Sequence, residues 1–170
     1  MARFLASVEH RAFRMAMVAV RHRDDALDIV QDAMLQLVQR YGGRDSAEWP
    51  PLFHRILQNR IMDCHRGKRW SRLLMPWREE PEDGHPGFDI ADPQQLPQAE
   101  RLQQTRAMQR LQSALQQLPL RQQQVYLLRH WEGLDVKQTA EAMRCSEGSV
   151  KTHLSRALAA LKTQLAEDWP

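Results

Sequence analysis

Cysteine is almost absent from this 170-residue chain. Cys64 and Cys145 stand far apart, with no CxxC pair and no Cys/His cluster. A disulfide framework or a zinc site is thereby excluded as the source of stability, and a reducing cytosol is the expected location. No apolar run approaches the ~18 residues that would suggest a membrane span, and no signal peptide is read, so membrane insertion is not expected. A Gly-rich phosphate loop and an HExxH helix are also missing, and His10, His22, His54, His65, His85, His130 and His153 fall at no ligand spacing. Catalytic residues, metal and cofactors are all expected to be none, and the chain does not read as an enzyme. Seven glycines, 6% aromatic residues and few β-branched runs point to an all-α fold.

Charge, by contrast, is plentiful and unevenly placed. Residues 1–69 carry 12 basic and 8 acidic side chains, residues 70–100 carry 2 and 7, and residues 101–170 carry 10 and 6. Two basic blocks are thus joined by an acidic one. The middle segment contains Pro76, Pro81, Pro86, Pro93 and Pro97 and the run Glu79-Glu80-Pro81-Glu82-Asp83. Such composition repels itself and supplies no core, so residues 70–98 are expected to be a flexible acidic linker between two small helical domains.

In the first block, Phe4, Leu5, Val8, Ala12, Met15, Ala16 and Ala19 predict a helix over residues 2–22. Asp24 and Asp25 suit the start of a second helix, because carboxylates favour helix N-termini. Its apolar set is Ala26, Leu27, Val30, Ala33, Met34, Leu37 and Val38, and its outer side shows Asp28, Gln31, Asp32 and Leu35. Asp28 and Asp32 lie one turn apart with no cation at helical spacing, either as a solvated ridge or as a docking surface for a basic partner. Pro50 and Pro51 mark the start of a third helix, expected to run to about Arg69. Leu52, Phe53, Ile56, Leu57, Ile61 and Met62 form its apolar side, with His54, Arg55, Asn59, Arg60, Asp63, Arg66, Lys68 and Arg69 elsewhere. Aromatics at its start (Trp49, Phe53) and cations at its end fit nucleic acid. An ordinary amphipathic helix with buried rings and solvated cations fits as well.

In the last block, Gln98–Gln117 and Arg121–Trp131 read as helices, with Gly133 ending the second. The stretch DVKQTAEAMRCSEGSVKTHLSRALAALK, residues 135–162, then has the pattern of a helix-turn-helix. Asp135 and Gln138 form a capping-box start, residues 136–143 a short helix, and Ser146 a cap for the next. Val150, Leu154, Ala157, Leu158 and Leu161 make one apolar stripe in that last helix. Opposite stand Gly148, Ser149, Thr152, Ser155, Arg156 and Ala159, flanked by Lys151 and His153. Short polar groups with fixed cations suit base edges and phosphates of a major groove. Arg144 occupies the turn position that most often needs a left-handed backbone and hence glycine.

Three stretches at this spacing together resemble bacterial RNA polymerase sigma factors of the extracytoplasmic-function class. DALDIVQDAMLQLVQR resembles that family's polymerase-binding helix. LFHRILQNRIMDCHRGKR is similar to its promoter-melting helix, with Arg55, Ile56, Asn59, Asp63 and Arg66 in matching places. LPLRQQQVYLLRHWEGLDVKQTAEAMRCSEGSVKTHLSRALAALK resembles the domain that reads the upstream promoter element. The resemblance implies a region 2-like domain over 1–69, the linker over 70–98 and a region 4-like domain over 99–170. It implies core RNA polymerase, promoter DNA and an anti-sigma factor as partners. Polymerase binding would fall to Leu27, Asp28, Gln31, Asp32 and Leu35. DNA binding would fall to Trp49, Arg55, Asn59, Arg66, Lys68 and Arg69 in the first domain. In the second it would fall to Ser149, Lys151, Thr152, Ser155 and Arg156. His153 stands where the family commonly has Arg, Thr139 where an aliphatic is usual, and Arg144 where the turn usually has Gly. The acidic linker would pass near polymerase surfaces built for polyanions. The alternative is a stand-alone helix-turn-helix regulator that binds DNA as a dimer, which would need a sensor or receiver pattern that residues 1–69 lack.

Overall fold

The computed structural model describes residues 1–74 and 98–166, with side chains for 1–68 and 106–166. The greater part of the expected acidic linker lies outside the described residues. Within them the chain is helical: α1 (Ala2–Val20), α2 (Arg23–Tyr41), α3 (Trp49–Leu74), α4 (Gln98–Gln117), α5 (Leu120–Tyr126), α6 (Val136–Met143) and α7 (Glu147–Gln164). A 3₁₀ turn, Ser46–Glu48, leads into α3, and a π-helical turn, Leu127–Trp131, continues α5. Helix α3 therefore extends five residues past the Arg69 end expected from sequence.

Local chemistry sets the boundaries of the first unit. Helix α1 stops at Arg21, whose backbone is left-handed (φ 60°) and whose N–H bonds Met17 O. His22 then caps α2 by accepting from Asp25 N–H through Nδ1 at 3.3 Å. Gly42 ends α2 where a Cβ would lie 2.7 Å from the Val38 carbonyl oxygen, closer than any side chain tolerates. Asp45 caps the 3₁₀ turn through Ala47 N–H at 2.8 Å, and the prolines occupy the first turn of α3, where an amide donor is not needed.

The three helices pack through alanines on α1 and α2 and through large side chains on all three, Met15 of α1 and Leu37 of α2 among them. Ala12, Ala16 and Ala19 of α1 and Ala26 and Ala33 of α2 are buried, as are Phe53, Leu57 and Ile61 of α3. Alanine faces let backbones approach closely, and the large α3 side chains fill the space between, each stabilising by about 1.5–3 kcal/mol when buried. Phe4 caps this core, edge-on to Phe53 at 6.0 Å. In α2 the buried stripe is rotated from the one expected. Ile29 joins Ala26, Val30, Ala33 and Leu37 in the core, whereas Leu27 and Val38 are exposed.

The second unit is built around α7. Val150, Ala157 and Leu161 are fully buried against α5, whose Val125 and following Leu128 are equally enclosed. Leu115 of α4 completes the core. The two units touch: α6 packs on α3 and α4 on α1.

Candidate docking ridge and nucleic-acid interface

The helix-turn-helix is fixed at each joint. Asp135 accepts Gln138 N–H at 2.7 Å while Gln138 Oε1 accepts Asp135 N–H at 2.9 Å, the full capping box. Buried Thr139 places its hydroxyl by donating to Asp135 O at 2.7 Å, so a polar group occupies a core position with its hydrogen bond made. Helix α6 ends at Arg144 with φ 51°, ψ 53°, the left-handed geometry that the turn demands. Arg121 donates to Met143 O at 2.9 Å and ties that end to α5. Ser146 opens α7 by accepting Ser149 N–H at 3.1 Å.

With one side of α7 fixed in the core, the other faces outward. Lys151, Thr152, Ser155 and Arg156 are exposed and Ser149 is half-exposed, so the five DNA-binding candidates of this helix share one strip. Their hydrogen-bonding capacity differs. Thr152 donates its hydroxyl proton to Gly148 O at 2.9 Å, leaving a methyl and lone pairs to offer. Ser149 Oγ lies 2.9 Å from Ser146 Oγ and shares its proton locally. Lys151 and Arg156 are the cations able to meet phosphate or a guanine edge. His153 is half-buried with Nδ1 shielded.

On α2, Leu27, Asp28, Gln31, Asp32 and Leu35 are all exposed, Leu35 by 55%. Two leucines in water beside carboxylates form an amphipathic ridge that the chain's own core does not use. Asp28 makes no ion pair among the described residues. Asp32 does have a cation nearby, which sequence spacing could not reveal: Arg60 of α3 lies 3.8 Å away and also donates to Gln36 Oε1 at 3.3 Å. Val38 extends the apolar part of the ridge by one turn.

The α3 candidates are less uniform. Arg66 is exposed and paired with Asp63 one turn earlier. Arg55 donates to Tyr41 Oη at 3.2 Å, and Asn59 is half-buried. Lys68 Nζ sits 3.1 Å from Asp25, bridging α3 to α2. Trp49 is half-buried, its ring 6.0 Å from that of Phe4, with Nε1 shielded. The side chain of Arg69 lies outside the described residues. This flank thus presents cations already held by neighbours, unlike the free strip on α7.

Periodicity places His54 outside the core side of α3, yet its side chain is 3% exposed. The reason is tertiary: it meets Glu132 of the other unit, at 3.3 Å. Arg11 of α1 also lies near Glu132, Nε 3.2 Å from its other oxygen; the three residues share no motif, and no periodicity could have brought them together. Among the described residues no group of three or more His, Cys, Asp or Glu side chains could hold a metal, and no helix is long and apolar enough to cross a membrane.

A capped helix-turn-helix with a free basic strip, joined to a three-helix unit bearing an amphipathic ridge, defines a two-unit DNA-binding protein. Known proteins narrow this. Residues 108–161 match the family described as Sigma-70, region 4. The chain is 33% identical over 141 residues to an RNA polymerase sigma-E factor of Streptomyces avermitilis, covering 83% of this chain and 71% of the relative. It is 30% identical over 149 residues to the ECF RNA polymerase sigma factor SigM of Mycobacterium tuberculosis, covering 87% and 68%. Its fold matches the sigma factor RpoE in complex with the anti-sigma factor NepR from Bartonella quintana. That match has a TM-score of 0.72 at 20% identity, over 99% of this chain and 100% of the other. It also matches CnrH in complex with the cytosolic domain of CnrY, at 0.64 over 99% and 88%. The chain belongs to the extracytoplasmic-function RNA polymerase sigma factors. It is a factor that directs transcription initiation, in a family that is not an enzyme class.

Proposed function

We propose that this sigma factor binds core RNA polymerase through the α2 ridge and promoter DNA through α3 and α7. The observation that carries the reading is the ridge: exposed Leu27 and Leu35 flank Asp28, Gln31 and Asp32, a pattern suited to a partner with an apolar groove and cations. Lys151, Thr152, Ser155, Arg156 and Ser149 take the upstream element in the major groove. Trp49, Arg55, Asn59, Arg66, Lys68 and Arg69 meet the melted or downstream DNA, the ion-paired cations among them exchanging Asp25 or Asp63 for phosphate. An anti-sigma factor is a further partner, in keeping with the complexes in which the two fold neighbours were solved.

The double variant Asp28→Lys/Asp32→Lys tests the ridge. Both side chains are exposed and neither lies in the core, so circular dichroism should remain that of the wild type. Affinity for core polymerase should fall by about 2–5 kcal/mol, the usual cost of removing one side of an interfacial charge pair. Wild-type affinity in a folded double variant would overturn the assignment.

A further inference from the structure

Helix α7 carries one acidic side chain, Glu147, at its first position. It is exposed, lies one turn before Lys151, and makes no hydrogen bond or ion pair among the described residues. The partial positive charge of a helix N-terminus favours a carboxylate there. Capping does not need it, because Ser146 already accepts the Ser149 N–H at 3.1 Å. Toward DNA it is not neutral either: a fixed negative charge beside Lys151 works against phosphate binding. In a helix-turn-helix the N-terminal residues of the second helix are those that contact base edges. Glu147 thus stands at the leading end of the strip that Thr152, Ser155 and Arg156 continue.

Gly148 beside it points to a ligand independently. Glycine weakens a helix relative to alanine, and nothing inside the protein calls for it here. A Cβ would meet only Ser146 Oγ, at an ordinary 3.8 Å, and the backbone is not left-handed. Gly148, Thr152 and Ser155 follow one another at helical spacing, all exposed, so the strip is shallow along its centre and barest at its leading end. A bare leading turn lets the backbone come close to another molecule. The base chemistry follows from the carboxylate, which only accepts hydrogen bonds. In the major groove guanine presents O6 and N7 and thymine presents O4, all acceptors that repel it. Adenine offers its N6 amine with the acceptor N7 alongside, whereas cytosine offers its N4 amine beside a C–H.

We propose that Glu147 is a specificity-determining residue of α7: its carboxylate takes the N4 amine of a cytosine in the upstream element, and Gly148 lets it come within reach. This rests on the DNA reading of α7 given above. The test is selection by the full-length chain, assembled with core polymerase, from promoter duplexes randomised across the upstream element. The wild type should favour cytosine at one position by about tenfold. Glu147→Ala should flatten that position alone. Glu147→Gln should move it to adenine, since an amide accepts from N6 and donates to N7 at once. Gly148→Ala should melt higher than the wild type, which shows the helix intact, yet hold the selected duplexes several-fold more weakly. A ranking unchanged in both Glu147 variants, with every sequence bound more tightly as repulsion of phosphate is lifted, leaves a solvated helix-end charge and overturns the proposal. Loss of an adenine preference instead overturns the cytosine assignment. Selected duplexes held as tightly by Gly148→Ala overturn the close approach. Should Lys151→Ala and Arg156→Ala change the selection while the Glu147 variants do not, the DNA reading stands and the role of Glu147 falls. Should none of these variants change it, the DNA reading itself falls.

Discussion

Replacing Arg144 by glycine should stabilise the protein, and the size of the gain follows from one backbone angle. Arg144 sits at φ 51°, ψ 53°, where a Cβ crowds the following carbonyl at about 1–2 kcal/mol for an L-residue. Glycine escapes that crowding but gives the unfolded chain more freedom, worth roughly 0.5–1 kcal/mol. The arginine side chain is exposed and makes no hydrogen bond or ion pair among the described residues, so little else changes. The net gain should be about 0.5–1 kcal/mol, or roughly 2–8 °C in the melting temperature of a unit this small. Thermal unfolding of the full chain by circular dichroism reads it directly. Gly133 supplies the opposite arm. Its φ is 69°, and a Cβ there would meet nothing within 4 Å, so Gly133→Ala should lose about 1 kcal/mol for conformational reasons alone. Because Arg144→Gly keeps the turn geometry, DNA affinity should not change. A melting temperature that stays put or falls would refute the argument that the turn carries backbone strain.

Two further outcomes are expected. Arg156→Ala and Lys151→Ala should weaken upstream-element binding while His153→Ala does less. If Arg156 reads a base, its truncation should relax preference at one position by roughly 1–3 kcal/mol; if it meets a phosphate, all sequences should weaken alike and the salt dependence should flatten. A larger effect at His153, measured by anisotropy on duplex variants, would mean that α7 presents a different side to the groove. Burial holds the Cys145 thiol above its ordinary value despite the nearby Arg121 charge, so its alkylation by iodoacetamide should be slower than that of an unstructured thiol at pH 8 and rise only at higher pH.

Much of this fold could be read from residue order because its signals are local. The capping box at Asp135 and Gln138, the Ser146 cap, the helix from Gln98 to Gln117 and the left-handed turn at Arg144 each depend on a few adjacent residues. The errors arise where a second element decides. Periodicity shows that α2 has an apolar face, but α1 and α3 determine that Ile29 enters the core while Leu27 and Val38 stay in water. Arg60 reaches Asp32 across a helix pair, so the ridge is less uncompensated than its own spacing suggests. His54 reads as polar surface and becomes interior only because Glu132, 78 positions further on, meets it. Candidate DNA residues on α7 share one strip because helix geometry alone places them, whereas those on α3 are engaged by Tyr41, Asp25 and Asp63.

The central claim, that this chain brings polymerase to promoters through the α2 ridge and reads them through α7, is tested most directly by run-off transcription. Purified core polymerase would be supplied with fragmented genomic DNA and the wild-type chain, and the start sites mapped. The account predicts a defined set of starts that share one upstream element, abolished by Asp28→Lys/Asp32→Lys and weakened by Arg156→Ala according to that element's sequence. Starts that do not depend on the added chain, or that persist unchanged in both variants, would contradict it.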